Sequence, residues 1–305
     1  MNATKVKAIV SLLIWLLVGA IAVNAFFLIS QGGSWFSFRD PDANKPLQVL
    51  SDRSTTAQVN TLIIEWSVGG VTLNVGEEGS GIRVIERSRS ELSANKQVQF
   101  DQNGTTLTLR SRNQNHFVFF GWGWNNKISY LEVTVEPKLY QRIKLTQASG
   151  ASEVVGVQTT TLDLISTSGA LELNTVSATT VNLTQTSGET VLFGANQIDT
   201  LHVTMTSGRL DGRADAKHLQ VDMTSGEFGL QFISTNPLSL DHDMTSGSAT
   251  YSLPQNNPFS IDVNKTAGSF NSSFTMSQSG RLYSYGTGGP QYTLDMTSGS
   301  FTIRP

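Results

Sequence analysis

Through the second half of the chain a glycine returns about every twenty residues, and no other feature limits the possible folds so strongly. Ser-Gly occurs at Ser149-Gly150, Ser168-Gly169, Ser187-Gly188, Ser207-Gly208, Ser225-Gly226, Ser246-Gly247 and Ser298-Gly299, and Ala267-Gly268 fills the one gap. The glycines are 19, 19, 20, 18, 21, 21 and 31 residues apart. A threonine precedes the pair in every case but the first, as Thr167, Thr186, Thr206, Thr224, Thr245, Thr266 and Thr297.

Apolar residues keep a register to these glycines. Seven and five residues before them stand Ile143/Leu145, Leu162/Leu164, Val181/Leu183, Leu201/Val203, Leu219/Val221, Leu240/His242, Ile261/Val263 and Tyr292/Leu294. Two and four residues after come Leu171/Leu173, Leu210/Gly212, Phe228/Leu230, Ala249/Tyr251 and Phe301/Ile303, alternating with polar residues such as Glu172, Asp211 and Thr302. Spacing by two puts each pair on one face of a strand. Each repeat therefore reads as a coil of two short strands around a Thr-Ser-Gly corner. One coil cannot bury its own apolar face, so coils must stack about 4.8 Å apart. Eight stacked in chain order give a rod of about 35 to 40 Å. The predicted fold is all-β, a right-handed parallel β-solenoid with about 19 to 21 residues per coil.

The corner glycines Gly150, Gly169, Gly188, Gly208, Gly226, Gly247, Gly268 and Gly299 are assigned a structural role, since a sharp bend needs a positive backbone angle. Ser and Thr hydroxyls are expected to bond locally and along the stack. No Gly-x-Ser-x-Gly elbow occurs in the repeats, and a hydroxyl copied seven times is a poor nucleophile signature.

Upstream of the repeats, 61–66, 71–75, 82–85, 97–100, 105–109 and 130–135 also alternate, broken by Gly69-Gly70, Gly79 to Gly81 and Asn103-Gly104. Residues 56–140 thus read as irregular coils or a β cap on a 141–305 solenoid. A cap is expected because an open end would expose unpaired backbone. Pro305, after the final strand, is expected to block pairing at the other end.

From Ala8 to Ser30 the chain is apolar without a charge, long enough for one membrane-spanning helix. Lys5 and Lys7 precede it and no Lys or Arg follows until Arg39, which places residues 1–7 in the cytoplasm and the solenoid outside the cell membrane. Val23-Asn24-Ala25 leaves open a cleaved signal peptide, although Phe26 to Ile29 prolong the apolar run past that site. Residues 31–55, with Gly32-Gly33, Pro41 and Pro46, read as a linker.

Composition narrows the chemistry. A net charge of -3, with no Lys/Arg cluster, argues against nucleic acid as a partner. The absence of cysteine removes disulfides, thiolate metal sites and cysteine nucleophiles. Only 15% of residues are charged, against about 25% in typical soluble domains, and Ser, Thr, Asn and Gly take their place.

The repeated corner, the hairpin-like opening from Leu62 to Val75, and the long final coil carrying Tyr285 to Gly289 before Thr297 to Gly299 resemble the large bacterial putative-adhesin family of unknown-function domains. The match covers about 58–304. The resemblance implies an amino-terminal membrane or leader segment, a right-handed β-solenoid and a surface role, with no catalytic residue set to carry over.

Three places break the pattern. His116 to Trp124 is dense in aromatics, and Phe117, Phe119, Phe120, Trp122 and Trp124 either pack over the cap or face a membrane or partner. His242 stands at an inward offset where its neighbours carry Val221 and Val263; a buried neutral histidine with one hydrogen-bond partner is the first reading, a pH switch or metal ligand the others. Outside that column Asp222 and Asp243 share one offset, Asp241 and Asp262 another. These read as a solvated acidic face, with calcium the alternative. No basic residue accompanies the acids at matching offsets, so a polysaccharide-acting β-helix enzyme lacks its charge-stabilising partner. The expected function is a membrane-anchored binding or structural module, no enzyme and without cofactor or metal, that contacts cell-wall polymer or a surface protein. A self-assembling scaffold is the alternative.

Overall fold

The computed structural model describes residues 45–111 and 128–305, all within the compact unit Asn44–Pro305. The predicted anchor at 8–30 and the aromatic run from His116 to Trp124 lie outside the described residues. No helix among the described residues is long and apolar enough to cross a membrane.

The first seven strands are β1 (Gln48–Thr55), β2 (Thr61–Val68), β3 (Val71–Val75), β4 (Ile82–Ser88), β5 (Gln99–Asn103), β6 (Thr106–Arg110) and β7 (Ser129–Val135). Six regular coils follow, each a longer strand, a glycine corner and a shorter strand: β8 (Leu139–Ser149) and β9 (Ala151–Val155), β10 (Gln158–Ser166) and β11 (Ala170–Asn174), β12 (Ser177–Gln185) and β13 (Glu189–Phe193), β14 (Gln197–Met205) and β15 (Arg209–Arg213), β16 (Asp215–Met223) and β17 (Glu227–Gln231), β18 (Ser239–Met244) and β19 (Ser248–Ser252). Then come β20 (Phe259–Lys265), β21 (Ser269–Ser272), β22 (Ser277–Ser279), β23 (Leu282–Tyr285), β24 (Gln291–Met296) and β25 (Ser300–Arg304). The longer strands of the coils lie in a 13-stranded sheet and the shorter ones in a 12-stranded sheet; both are mostly parallel.

The predicted offsets carry the core. Leu162, Leu164, Val181 and Leu183 of the long-strand sheet and Leu171, Leu173 and Leu210 of the short-strand sheet are all buried, as period-two alternation requires. A third inward position lies three residues before every corner glycine but Gly268 and holds Gln147, Ser166, Gln185, Met205, Met223, Met244 and Met296 in the interior. The two buried glutamines are satisfied there: Gln185 donates to the Gly188 carbonyl at 2.7 Å and accepts from the Thr190 hydroxyl at 2.6 Å.

At the corners the glycines form a ladder. Gly188 has φ +105°, and a Cβ there would sit 2.2 Å from the Gly169 carbonyl oxygen, so conformation and space both exclude a side chain. The serine hydroxyls donate along the stack to the threonine carbonyl of the adjacent coil, Ser187 to Thr167 at 3.1 Å and Ser207 to Thr186 at 3.0 Å. The threonines themselves stand exposed.

Four sequence-based expectations are corrected. First, the coils do not stack in chain order. The last coil, β24–β25, lies between the coil of Gly247 and the coil of Gly268: β24 pairs with β18 and β20, and β25 pairs with β19 and β21. The reason lies in the third inward column, where Met296 is followed by Lys265, which is exposed. A lysine there cannot be sandwiched between two coils without burying its charge, so its coil belongs at the end. The β22–β23 hairpin closes that end, with Phe274 and Tyr285 against Phe259. Pro305 thus follows an interior strand and does not terminate the stack.

Second, Leu62 to Val75 is not a hairpin. β2 lies in the long-strand sheet and β3 in the short-strand sheet, with Gly69 (φ +115°) as an additional rung beneath Gly150. Third, the linker reading of 31–55 fails over 48–55, where β1 pairs antiparallel with β4 and Asp52 holds Arg83. An edge strand held by its main chain need not show apolar alternation. Fourth, the acid columns change neighbours, as described below.

Candidate functional site

His242 lies inside the stack, between Val221 and Leu294, and is fully buried. Its Nδ1 is 2.6 Å from the Tyr251 hydroxyl, and Phe228, Tyr251 and Phe301 surround the ring edge to face. Nε2 has no hydrogen-bond partner among the described residues. Burial lowers the imidazole pKa to about 3 and pushes the Tyr251 hydroxyl well above its usual range, so both are neutral at ordinary pH.

Asp241 and Asp243 flank His242 in sequence but point out of the long-strand sheet, so alternation separates them from the imidazole. Because the last coil is inserted, Asp243 has Asp222 on one side and Asp295 on the other, and Asp295 accepts from Asn264. Desolvation first, then Asp241, Asp295 and Asp222, raise the Asp243 carboxyl above its ordinary value. Asp241 is not beside Asp262. Thr293 stands between them and donates its hydroxyl to Asp241. Asp262 does have a basic partner, Arg281 of the β22–β23 hairpin, at 2.9 and 3.1 Å; no coil offset predicts a residue from that insertion. Among the described residues no group of three or more His, Asp or Glu is placed to hold a metal ion.

Asp222, Asp243 and Asp295 line a shallow cleft of about 430 Å³ on the long-strand sheet with Thr204, Thr224 and Asn264, and a larger concave feature lies on the opposite sheet. A groove of about 790 Å³ crosses the outer face of the short-strand sheet from β11 to β25. Three outward columns build it. The column nearest the corners contains Glu189, Arg209 and Glu227; the middle one Glu172, Val191, Asp211, Gly229 and Thr250; the third Phe193, Arg213, Gln231, Ser252 and Arg304. Gly229 leaves the middle column without a side chain, and the Asp211 carboxylate leans over the space, 2.6 Å from where a Cβ would be.

Electrostatically the groove is divided. Arg209 reaches Asp211 at 3.3 Å, Glu227 at 3.6 Å and Glu189 at 4.0 Å, and the Asp211 hydrogen bond leads in holding its guanidinium above the usual range. Among the described residues Arg213 has no ion pair, and the Arg304 guanidinium donates to the Ser252 hydroxyl at 3.1 Å and pairs with no carboxylate. Val191 (36% exposed) and Phe193 (43% exposed) place apolar surface on the same face.

Sequence reasoning missed this groove because it looked for breaks in the inward ladder. The signal was present at the outward offsets: Val191 and Phe193 stand three and five residues after Gly188 where polar residues are expected, and Gly229 lies three after Gly226.

A model of the family described as Toastrack DUF4097 matches residues 63–304. Among solved structures, a putative adhesin from Bacteroides fragilis NCTC 9343 is 12% identical, with 86% of this chain and 98% of that one covered and a TM-score of 0.52. A putative cell adhesion protein from Clostridium sporogenes ATCC 15579 is 13% identical over 85% and 99% of the chains, TM-score 0.30. A putative adhesin from Parabacteroides distasonis ATCC 8503 is 12% identical over 86% and 98%, TM-score 0.39. At such identity the likeness speaks to the fold alone. No curated protein sequence matches the chain.

Proposed function

The chain belongs to the Toastrack DUF4097 family, and on that premise we propose that it is an adhesin-like binding module of the bacterial cell envelope, not an enzyme, whose ligand lies in the groove of the short-strand sheet. The observation that carries this reading is the groove itself: a concave face with exposed Phe193 and Val191, an open floor at Gly229 and two arginines, Arg213 and Arg304, without a carboxylate partner among the described residues. Pockets with a few convergent polar groups and some apolar surface are where ligands bind. The expected display completes the proposal. Residues 8–30 anchor the chain in the cell membrane with the amino terminus cytoplasmic, and the solenoid faces cell-wall polymer or a surface protein. The segment His116 to Trp124 is a second proposed contact with membrane or partner.

Photo-crosslinking in intact cells tests the choice of face. A crosslinking side chain at Phe193 is expected to form envelope adducts, and one at Thr184, exposed on the long-strand sheet, is not. Equal adducts from both positions would remove the groove as the ligand face.

The free edge of β21 supports a second reading, self-association, since an edge strand offers main-chain groups to another copy. Light scattering of the full chain in detergent separates filaments from single micelle-bound molecules.

A further inference from the structure

We infer that the groove takes a linear acidic polysaccharide, running along the column Phe193, Arg213, Gln231, Ser252 and Arg304; this rests on the groove being the ligand face. That column has no acid in it, whereas the groove's carboxylates Glu172, Asp211 and Glu227 lie in the other two. Arg209 is already engaged by three carboxylates, which leaves Arg213 and Arg304 as the cations free to meet an incoming anion. They stand three strand steps apart, about 14 Å, with the hydrogen-bonding side chains of Gln231 and Ser252 between them.

The column runs across the strands, along the stacking direction. A polymer that carries anionic groups at intervals can therefore meet both guanidinium forks, which favour carboxylate and sulfate geometry. A peptide fits less well. The strands under the groove are paired on both sides, so no edge is available for strand addition, and no deep apolar pocket waits for an aromatic anchor. A sugar chain asks instead for a flat apolar surface and a row of donors. The exposed Phe193 ring and the four polar side chains on the successive strands beyond it supply these.

The test is native electrophoresis of the full chain, in a neutral detergent, through gels containing polygalacturonate, neutral dextran or polyglutamate. Retardation by polygalacturonate and by neither other polymer is expected. The double variant Arg213→Gln/Arg304→Gln should weaken it about tenfold or more, while Arg142→Gln, on the long-strand sheet and paired with Asp163, should not. Both groove arginines are surface-exposed, so the variants are expected to fold, and thermal unfolding checks this. Absence of retardation by polygalacturonate, equal retardation of the double variant, or equal retardation by dextran or polyglutamate would each overturn the assignment. If Phe193 still crosslinks envelope material while polygalacturonate fails, the ligand class is wrong and the groove stands; if both fail, both readings fall.

Discussion

The stretch from Gly150 to Gly247 and the carboxy-terminal end use the same glycine-cornered coil, Thr-Ser-Gly in most copies, yet only the first stacks its coils in chain order. In the first, Met205, Met223 and Met244 follow one another inside the stack, and each coil has a coil of its own kind on both sides. In the second, the coil of Gly268 carries Lys265 at that inward place and takes the end, while the last coil returns to fill the gap. The corner motif thus specifies a coil without specifying its neighbours. The side chains on the coil's two edges do that.

The difference has a functional consequence. Insertion places Arg304 beside Ser252 and in line with Arg213, so the groove's third column is completed by the end of the chain rather than by the next coil in sequence.

Removing 291–305 should have the largest effect. It takes Tyr292, Leu294, Met296, Phe301 and Ile303 out of the core, and a loss of more than about 5 kcal/mol is expected, read as collapse of the cooperative thermal transition. A single exchange probes the coil-order argument more finely. Met244→Lys should cost about 4 kcal/mol by burying an ammonium between two coils, and Lys265→Met should change denaturant stability by less than about 1 kcal/mol. Near equality of the two would remove the explanation offered for the insertion.

These contrasts show how far the sequence can be read. The inward offsets and the corner glycines were legible because each is repeated and each has one physical cause. Lys265 was equally visible, but its meaning depends on which coils touch, which no period states. Gly69 was read as a strand break because the rung it supplies is 81 residues before the next, Gly150, with strands β3 to β8 between. The groove was hidden because an outward Phe193 is unremarkable until the columns beside it are known.

His242 sharpens the comparison from inside the core. The unfolded chain holds an imidazole with a pKa near 6.5, and the folded one lowers it to about 3, so folding favours the neutral form. Stability from this site is complete above about pH 6.5 and is lost as pH falls towards 3; between pH 7 and 4 the loss should be about 3 kcal/mol. His242→Leu should flatten that part of the pH profile in denaturant melts even if its stability at pH 7 is lower, because Tyr251 loses its partner. The smallest expected contrast is between two glycines. Gly188→Ala in the regular ladder should cost about 2 to 3 kcal/mol, and Gly280→Ala, in the terminal hairpin with open space around it, about 1 kcal/mol.

Paired cysteines in this cysteine-free chain test the inserted coil most directly. Thr250 and Thr302 are register partners across β19 and β25, whereas stacking in chain order would bring Thr250 beside Asn271. Under mild oxidation Thr250→Cys/Thr302→Cys should form an intramolecular disulfide and Thr250→Cys/Asn271→Cys should not, since a bridge needs Cα atoms within about 7 Å. The reverse pattern would contradict both the coil order and the groove that depends on it.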